Sequence, residues 1–300
     1  METSFLIVAD QAHRNLRIIK IKSIVLSLWR MSMKMKIYLL LVLIILNSSE
    51  CLFADTPKIF KNSIGMTFVY APPGTCDITQ TYKITLTNGF YIQTTEVTQG
   101  QWKAVMPNNP SFFKECGDNC PVDSVSWNDA QRFIRKLNQL EGGIPKYRLP
   151  TTAEWSYACL AGGKGPYSFG DFKIVPIKPG SKYGKHDTSI IDDYAWYEEN
   201  SEDKTHPVGL KKPNAWGLYD VHGNVNEWCQ DFFWFRDKDK EKRKHFIDPT
   251  GPMRSTIKTY HGGSYCGVSV EPADAENSEF PAFMQCTNPA DNGFRLVKNP

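Results

Sequence analysis

The chain has 300 residues, 41% of them hydrophobic and 13% aromatic, which suits a packed core and excludes a disordered chain. Lys and Arg (35) nearly balance Asp and Glu (32), for a formal net charge of +3, so composition supplies no basic footprint for nucleic acid. No GxSxG, phosphate-loop or dinucleotide fingerprint occurs.

Lys34 and Lys36 precede an unbroken apolar run over 37–46, which ends in Asn47, Ser48, Ser49 and Glu50. A positive flank, an apolar run of about ten residues and a small residue near the end describe a secretory signal, with Ala54 before Asp55 as the cleavage point. The run is short of the ~20 residues of a membrane span, so the mature chain is expected to have none. Lipid attachment at Cys51 is the weaker alternative, because Ser48, Ser49 and Glu50 suit it poorly. The organisation expected is an extension and signal over 1–54, then one domain over 55–300, exported to the periplasm or beyond and monomeric. Seven of the basic residues lie before Ile37 and three of the acidic ones before Asp55, which leaves the mature part close to neutral.

β-branched and aromatic residues predict strands over 64–70 and 82–92, with a turn at 71–74 (APPG) between them. Thr98, with Gln101 three residues on, opens a helix with Trp102, Val105 and Met106 on one side and Pro107 as its stop. Cys116 and Cys120 enclose Gly117, Asp118 and Asn119, a turn-forming spacing that favours a disulfide in an exported chain. Over 126–140, Ala130, Phe133, Ile134 and Leu137 recur at helical spacing behind a Ser126 cap, with Asp129 in the first turn. A third helix follows Pro150, with Thr151 and Glu154 as capping box and Gly162 as its end. Cys159 and Cys229, in apolar and aromatic settings, read as buried thiols or as partners of other cysteines. The mixed-sign run over 237–245 reads as a solvated loop. Three short helices among many loops and short strands make an α+β domain with little regular structure.

The densest stretch is 214–233, NAWGLYDVHGNVNEWCQDFF, where large rings alternate with Asp220, Asn224, Asn226 and Glu227 around Gly217 and Gly223. Oxygen donors on both sides of the Gly223 turn suit a hard cation, which takes six to eight oxygens. On spacing alone the simpler reading is that Asp220 and Asn224 bond their own turns.

Seven motifs in order now carry a resemblance: TTEVTQGQW (94–102), PVDSVSWNDA (121–130), YRLPTTAEWSYAC (147–159), THPVG (205–209), NAWGLYDVHGNVNEWCQD (214–231), GGSYC (262–266) and NGFRLV (292–297). Over about residues 60–298 the chain resembles the formylglycine-generating enzyme family, also called sulfatase-modifying-factor domains. The resemblance implies a C-type-lectin-like variant fold with Ca²⁺ in its loops. It implies Asp220, Gly223, Val225 and Glu227 as calcium ligands, Gly223 and Val225 through their carbonyls. It also implies a peptide or protein partner of the sulfatase kind, or a glycan.

Members that make formylglycine use a pair of cysteines, five residues apart after GGS, to bind copper and attack a substrate cysteine with O₂; soft thiolates suit Cu(I). Here Cys266 is followed five places on by Glu271, and the next cysteine, Cys286, lies twenty away, like the cysteine many non-sulfatase members carry before GFR. Asn226 stands where tryptophan is usual, and the segment before GFR is short. The reading is therefore a binding module without the standard oxidase activity. The alternative is a copper-dependent oxidase whose catalytic cysteines are Cys266 and Cys286. Other branches hold iron with three histidines; His206, His222 and His261 lie in motifs here, but bonding to backbone carbonyls is the simpler role. Of the motif acids, Glu154 is most simply a cap and Glu227 a calcium ligand, which leaves Glu96 as a candidate acid.

Overall fold

The computed structural model describes residues 59–78, 82–144, 146–161, 167–170, 173–176, 184–232, 244–252, 257–267 and 289–300. The signal-like flank, Cys51, Glu271 and Cys286 lie outside them. In chain order the strands are β1 (Ile59–Lys61), β2 (Thr67–Ala71), β3 (Gly74–Asp77), β4 (Tyr82–Leu86), β5 (Phe90–Gln93), β6 (Tyr147–Arg148), β7 (Lys173–Pro176) and β8 (Gly184–Asp187). β9 (Asn226–Phe232), β10 (Lys244–Ile247), β11 (Lys258–His261), β12 (Asn292–Gly293) and β13 (Val297–Lys298) follow. The α-helices are α1 (Gln99–Lys103), α2 (Trp127–Leu140) and α3 (Thr152–Leu160).

β1-β2-β5-β13-β6 form an antiparallel sheet in which the last strand of the chain lies between β5 and β6. Side chains alternate across a strand, and here both sides are covered. Val69, Ala71, Phe90, Ile92 and Val297 join α3 residues Ala153, Trp155 and Ala158 in one core. Phe68, Tyr91 and Tyr147 join Trp102 and the Ala130, Phe133, Ile134 and Leu137 face of α2 in the other. Trp102 stacks on Phe133 at 5.3 Å, and Phe294 meets the Phe133 ring edge-on. A second sheet runs β10-β4-β3 and a third β11-β9-β12; the β10–β4 and β12–β9 pairings are parallel, the rest antiparallel. The fold is the expected α+β class with few helices and short strands.

All three expected capping boxes form, at Thr98–Gln101, Ser126–Asp129 and Thr151–Glu154. α1 is shorter than the Pro107 stop implied: it ends at Lys103, and Met106 is buried by the turn that follows. α3 ends at Leu160, because Ala161 takes the left-handed cap at φ 46°.

Two expectations need correcting. Residues 82–92 are two strands in two sheets, since Thr87–Asn88–Gly89 turns the chain and Asp248 binds the Thr87 N–H and hydroxyl. A Cβ at Gly89 would lie 2.2 Å from the Tyr70 hydroxyl oxygen and 2.9 Å from the Ala71 carbonyl oxygen, so the turn favours glycine. The 237–245 run is not all loop: Lys244 and His245 belong to β10, with His245 Nε2 2.8 Å from Thr85 Oγ1. Its earlier residues lie outside the described ones.

Cys116 and Cys120 are bridged, and the loop they close lies against 205–208 through a Val208 N–H to Asn119 carbonyl bond. Cys76, Cys159 and Cys229 are buried thiols. Replacing Cys116 and Cys120 together by serine should lower stability by about 2 kcal/mol, the loop entropy of so short a closure, read by urea unfolding with and without reductant. A reductant effect on the wild type that persists in the double variant would assign the loss elsewhere.

Candidate functional site

Arg295, fully buried, spends all five of its N–H groups. Nε and Nη2 donate to the two oxygens of Glu227 at 2.6 Å each. Nη2 also donates to the Tyr219 carbonyl (2.8 Å), and Nη1 to those of Gln93 (3.2 Å) and Thr94 (3.3 Å). Glu227, equally buried, accepts a further bond from Trp155 Nε1 at 2.7 Å. β9 presents Glu227 between His261 of β11 and Gly293 of β12, which brings GFR onto the strand that carries it. Gly293 permits that approach, since a Cβ there would lie 2.7 Å from the Val122 carbonyl oxygen.

The turn before β9 is built the same way. Asp220 (φ 57°) and Asn224 (φ 69°) both take left-handed backbone, a conformation Asn and Asp tolerate better than most residues. A Cβ on Gly223 would lie 2.2 Å from the Trp196 carbonyl oxygen, so the loop closes only around glycine. Asn224 does not serve its own turn: its amide bonds both ways to the His206 main chain, at 2.9 and 3.1 Å. Asp220 Oδ2 accepts the Gly209 N–H at 2.7 Å, while its Oδ1 is buried without a hydrogen-bond partner. Both oxygens of Glu96, completely buried, are likewise unpartnered, and the carboxyl lies within hydrogen-bonding reach of Asp220. Burial first, then the charges of Asp220 and Glu227, push the Glu96 carboxyl well above its usual range. Burial lifts Asp220 to about 6, opposed by the Gly209 N–H and Arg295.

The four residues implied for calcium therefore stand unequally. Gly223 and Val225 lie in the tight turn, and Asp220 has an oxygen to offer. Glu227 has both oxygens engaged by Arg295 and Trp155. Among the described residues no three His, Cys, Asp or Glu side chains converge as metal ligands, so an ion here would draw on main-chain oxygens. The acidic excess at the turn and its orphaned oxygens suit a divalent hard cation.

The histidines do not meet as an iron site. His206 stacks on Trp196 (3.8 Å between ring centroids), with Nε2 2.7 Å from the Ser201 carbonyl. Buried His222 takes the Ser168 N–H on Nε2, and burial lowers it to about 3. His261 packs on Trp155, lowered to about 4 by burial.

Cys266 is half-buried, its sulfur 3.7 Å from Asp291 Oδ2 and 3.5 Å from Ser264 Oγ. Ser264 Oγ donates to the same Asp291 oxygen at 3.1 Å, and burial lifts Asp291 to about 6 against the hydrogen bonds it accepts. Tyr265 meets the edge of Phe113, and Phe112, 71% exposed, meets Phe113 in turn. Asp123 holds the N–H groups of Phe112 and Phe113, at 2.5 and 3.4 Å. Asp291 and the Phe112–Phe113 rim escaped the sequence reading, as no local pattern marks them. Glu96 carried a signal, as the one acid of the TTEVTQGQW motif.

Removing one partner of the buried ion pair should be severe. Glu227→Gln should cost ~3–5 kcal/mol by chemical denaturation, because it strands the Arg295 charge; a loss under 1 kcal/mol would show the pair to be dispensable. Buried His261 stays neutral in the folded chain but protonates near pH 6.5 when unfolded, so it withdraws stability as pH falls from 6.5 toward 4. His261→Phe should lose less stability over that interval, by about 3 kcal/mol at pH 4. Equal slopes for both proteins in urea melts would contradict this.

Comparison with known proteins places these features. A family model described as the sulfatase-modifying factor enzyme 1-like domain matches residues 57–300. "Chaperone protein LppX" of Paenibacillus barcinonensis is 30% identical over 57% of this chain and 71% of its own length. A formylglycine-generating enzyme of Thermomonospora curvata is 33% identical over 66% of this chain, which spans 61% of that enzyme. Among solved structures, Treponema denticola variable protein 1 superimposes with a TM-score of 0.59 at 28% identity, over 82% of this chain and all of that one.

Proposed function

The chain belongs to the sulfatase-modifying factor enzyme 1-like family, and from that premise we propose that it is a divergent, exported member acting as a peptide- or protein-binding module. The standard cysteine-to-formylglycine oxidase activity is absent from this reading. The observation that carries it is the surrounding of Cys266. Glu271 occupies the position of the second thiolate, and a carboxylate and a hydroxyl, Asp291 and Ser264, stand beside the sulfur. Oxygen ligands are poor company for Cu(I), which prefers soft sulfur.

Phe112, linked to Tyr265 through the Phe113 ring, is presented on a loop tied down by Asp123, Gln99 and Asn109. An exposed aromatic on a braced loop is the kind of anchor that carries binding energy in interfaces, because little side-chain freedom is lost when it docks. The relative named as a chaperone is consistent with such a role. Export rests on the basic flank and apolar run before Ala54. No helix among the described residues is long and apolar enough to cross a membrane. Calcium bound at the Gly223 turn completes the reading: it would hold the loops from 205 to 226 and supply no chemistry to Cys266.

The second reading, a copper oxidase using Cys266 with Cys286, is favoured by the partial exposure of Cys266. A Cu(I) titration of the mature domain beside Cys266→Ser separates the two. The binding-module reading expects no tight copper site in either protein and no oxidation of a cysteine peptide. Tight binding that vanishes in Cys266→Ser, with turnover of the peptide, would establish the oxidase instead.

A further inference from the structure

Residues 112–123 make a loop closed at its neck by Asp123, whose carboxylate takes the Phe112 and Phe113 N–H groups. Within it lie the 3₁₀ turn Lys114–Cys116 and the bridge from Cys116 to Cys120. The turn buries nothing of its own: Lys114, Glu115, Asp118 and Asn119 are exposed, and Cys116 and Gly117 are half-buried. Three main-chain bonds of 3.1 to 3.2 Å link Phe113 to Cys116, Lys114 to Gly117 and Gly117 to Cys120. A segment with so few buried contacts opens at low free energy unless something else holds it. Fully buried Cys120 provides that hold, with bonds from the Gln99, Gly100 and Val208 N–H groups to the Cys120, Asp118 and Asn119 carbonyls. The bridge carries the hold across to Cys116, three residues from Phe113, whose ring meets Tyr265 edge-on at 5.1 Å.

The two bridged sulfurs are unequally placed. Cys116 is half-buried, with its sulfur 3.3 Å from the Thr205 carbonyl oxygen, while Cys120 has no exposed surface. A thiolate opens a disulfide by attacking a sulfur it can reach, which here is that of Cys116. Closing a loop of so few residues removes little entropy from the unfolded chain, so the bridge resists opening less than one spanning a long loop. Cys120, once freed, joins an interior that already holds Cys76, Cys159 and Cys229 as buried thiols. We propose that the Cys116–Cys120 bridge is a thiol-exchange site for a small thiol, and that opening it releases the 112–120 loop. The incoming thiolate attacks Cys116 Sγ, the Cys116–Cys120 bond breaks, and Cys120 leaves with the electron pair and takes a proton from water. A second thiolate then attacks the small-molecule sulfur of the mixed disulfide, and Cys116 leaves and is protonated. Two small thiols are thereby oxidised to one disulfide, and the bridge is reduced to two thiols. The exchange stands on the bridge alone; its control of binding rests on the reading of Phe112 as an anchor, because the Asp123 neck holds Phe112 and Phe113 together.

The test equilibrates the mature domain in glutathione buffers of graded redox ratio. Thiol trapping with mass spectrometry and amide hydrogen exchange are read on the same samples. The expected result is reversible opening, with glutathione captured on Cys116 and not on Cys120. Exchange over 112–119 should speed up at least about tenfold on opening, while α2 keeps its protection. The double variant Cys116→Ser with Cys120→Ser should show the fast loop exchange in every buffer. Cys120→Ser alone should take glutathione at Cys116; if either variant fails to fold, the wild-type titration decides. A bridge that stays closed in fully reduced glutathione, or that opens only together with loss of α2 protection, would overturn the proposal and leave the bridge purely structural. Loop amides equally protected before and after opening would overturn the release. Neither readout involves a binding partner or copper, so a failure of the binding-module reading is distinguishable from a failure here.

Discussion

The Arg295–Glu227 pair is the constraint on which the rest of the molecule depends. Taking a guanidinium and a carboxylate fully out of water costs several kcal/mol per ion. That cost is tolerated only where every polar hydrogen finds an acceptor, and here it does. The acceptors come from β9, from the 93–94 segment and from Tyr219, up to 202 residues away in sequence. The pair therefore sets where the C-terminal segment lies. With Arg295 in place, Phe294 enters the α2 core and Val297 enters β13 between β5 and β6. The strand inside this sheet comes from Val297–Lys298, far in sequence from its neighbours β5 and β6.

The same pair explains why the region around it is rich in groups that ordinary packing does not need. Glu96, Asp220 and Glu227 lie close enough to feel one another's charge beside the single guanidinium of Arg295, and only Glu227 bonds it directly. Cys266 belongs to a different environment. Its sulfur lies beside Ser264 and Asp291, reached from the segment after β11 and from the turn before β12, and the preceding Tyr265 meets Phe113. One scaffold thus carries a closed ionic centre and a partly open sulfur beside a hydroxyl and a carboxyl group, and the two answer different chemical demands.

Local signals were readable where the physics is local. Thr98, Ser126 and Thr151 cap helices through bonds that span three residues, and the α2 stripe of Ala130, Phe133, Ile134 and Leu137 faces the core as its spacing requires. The Cys116–Cys120 bridge followed from a five-residue turn. Residues 82–92 misled because β-branched runs look alike on either side of a turn, and the Asp248 carboxylate that secures this one is more than a hundred and fifty residues away. Asn224 misled similarly, since its partner is the His206 main chain rather than its own turn.

The sequence by itself determined the family, the α+β class, the capped helices and the residues of the Gly223 turn, because ordered motifs and short-range hydrogen bonds are written in neighbouring positions. Only the tertiary structure decided that Glu227 is already engaged by Arg295 while Glu96 and Asp220 are not. It also decided that three motif histidines serve three separate places, and that Cys266 sits beside Asp291. The reason is that electrostatic partnership depends on distance through space. The strand order that brings 94–96, 219–227 and 293–295 together is set by the cooperative burial of two cores.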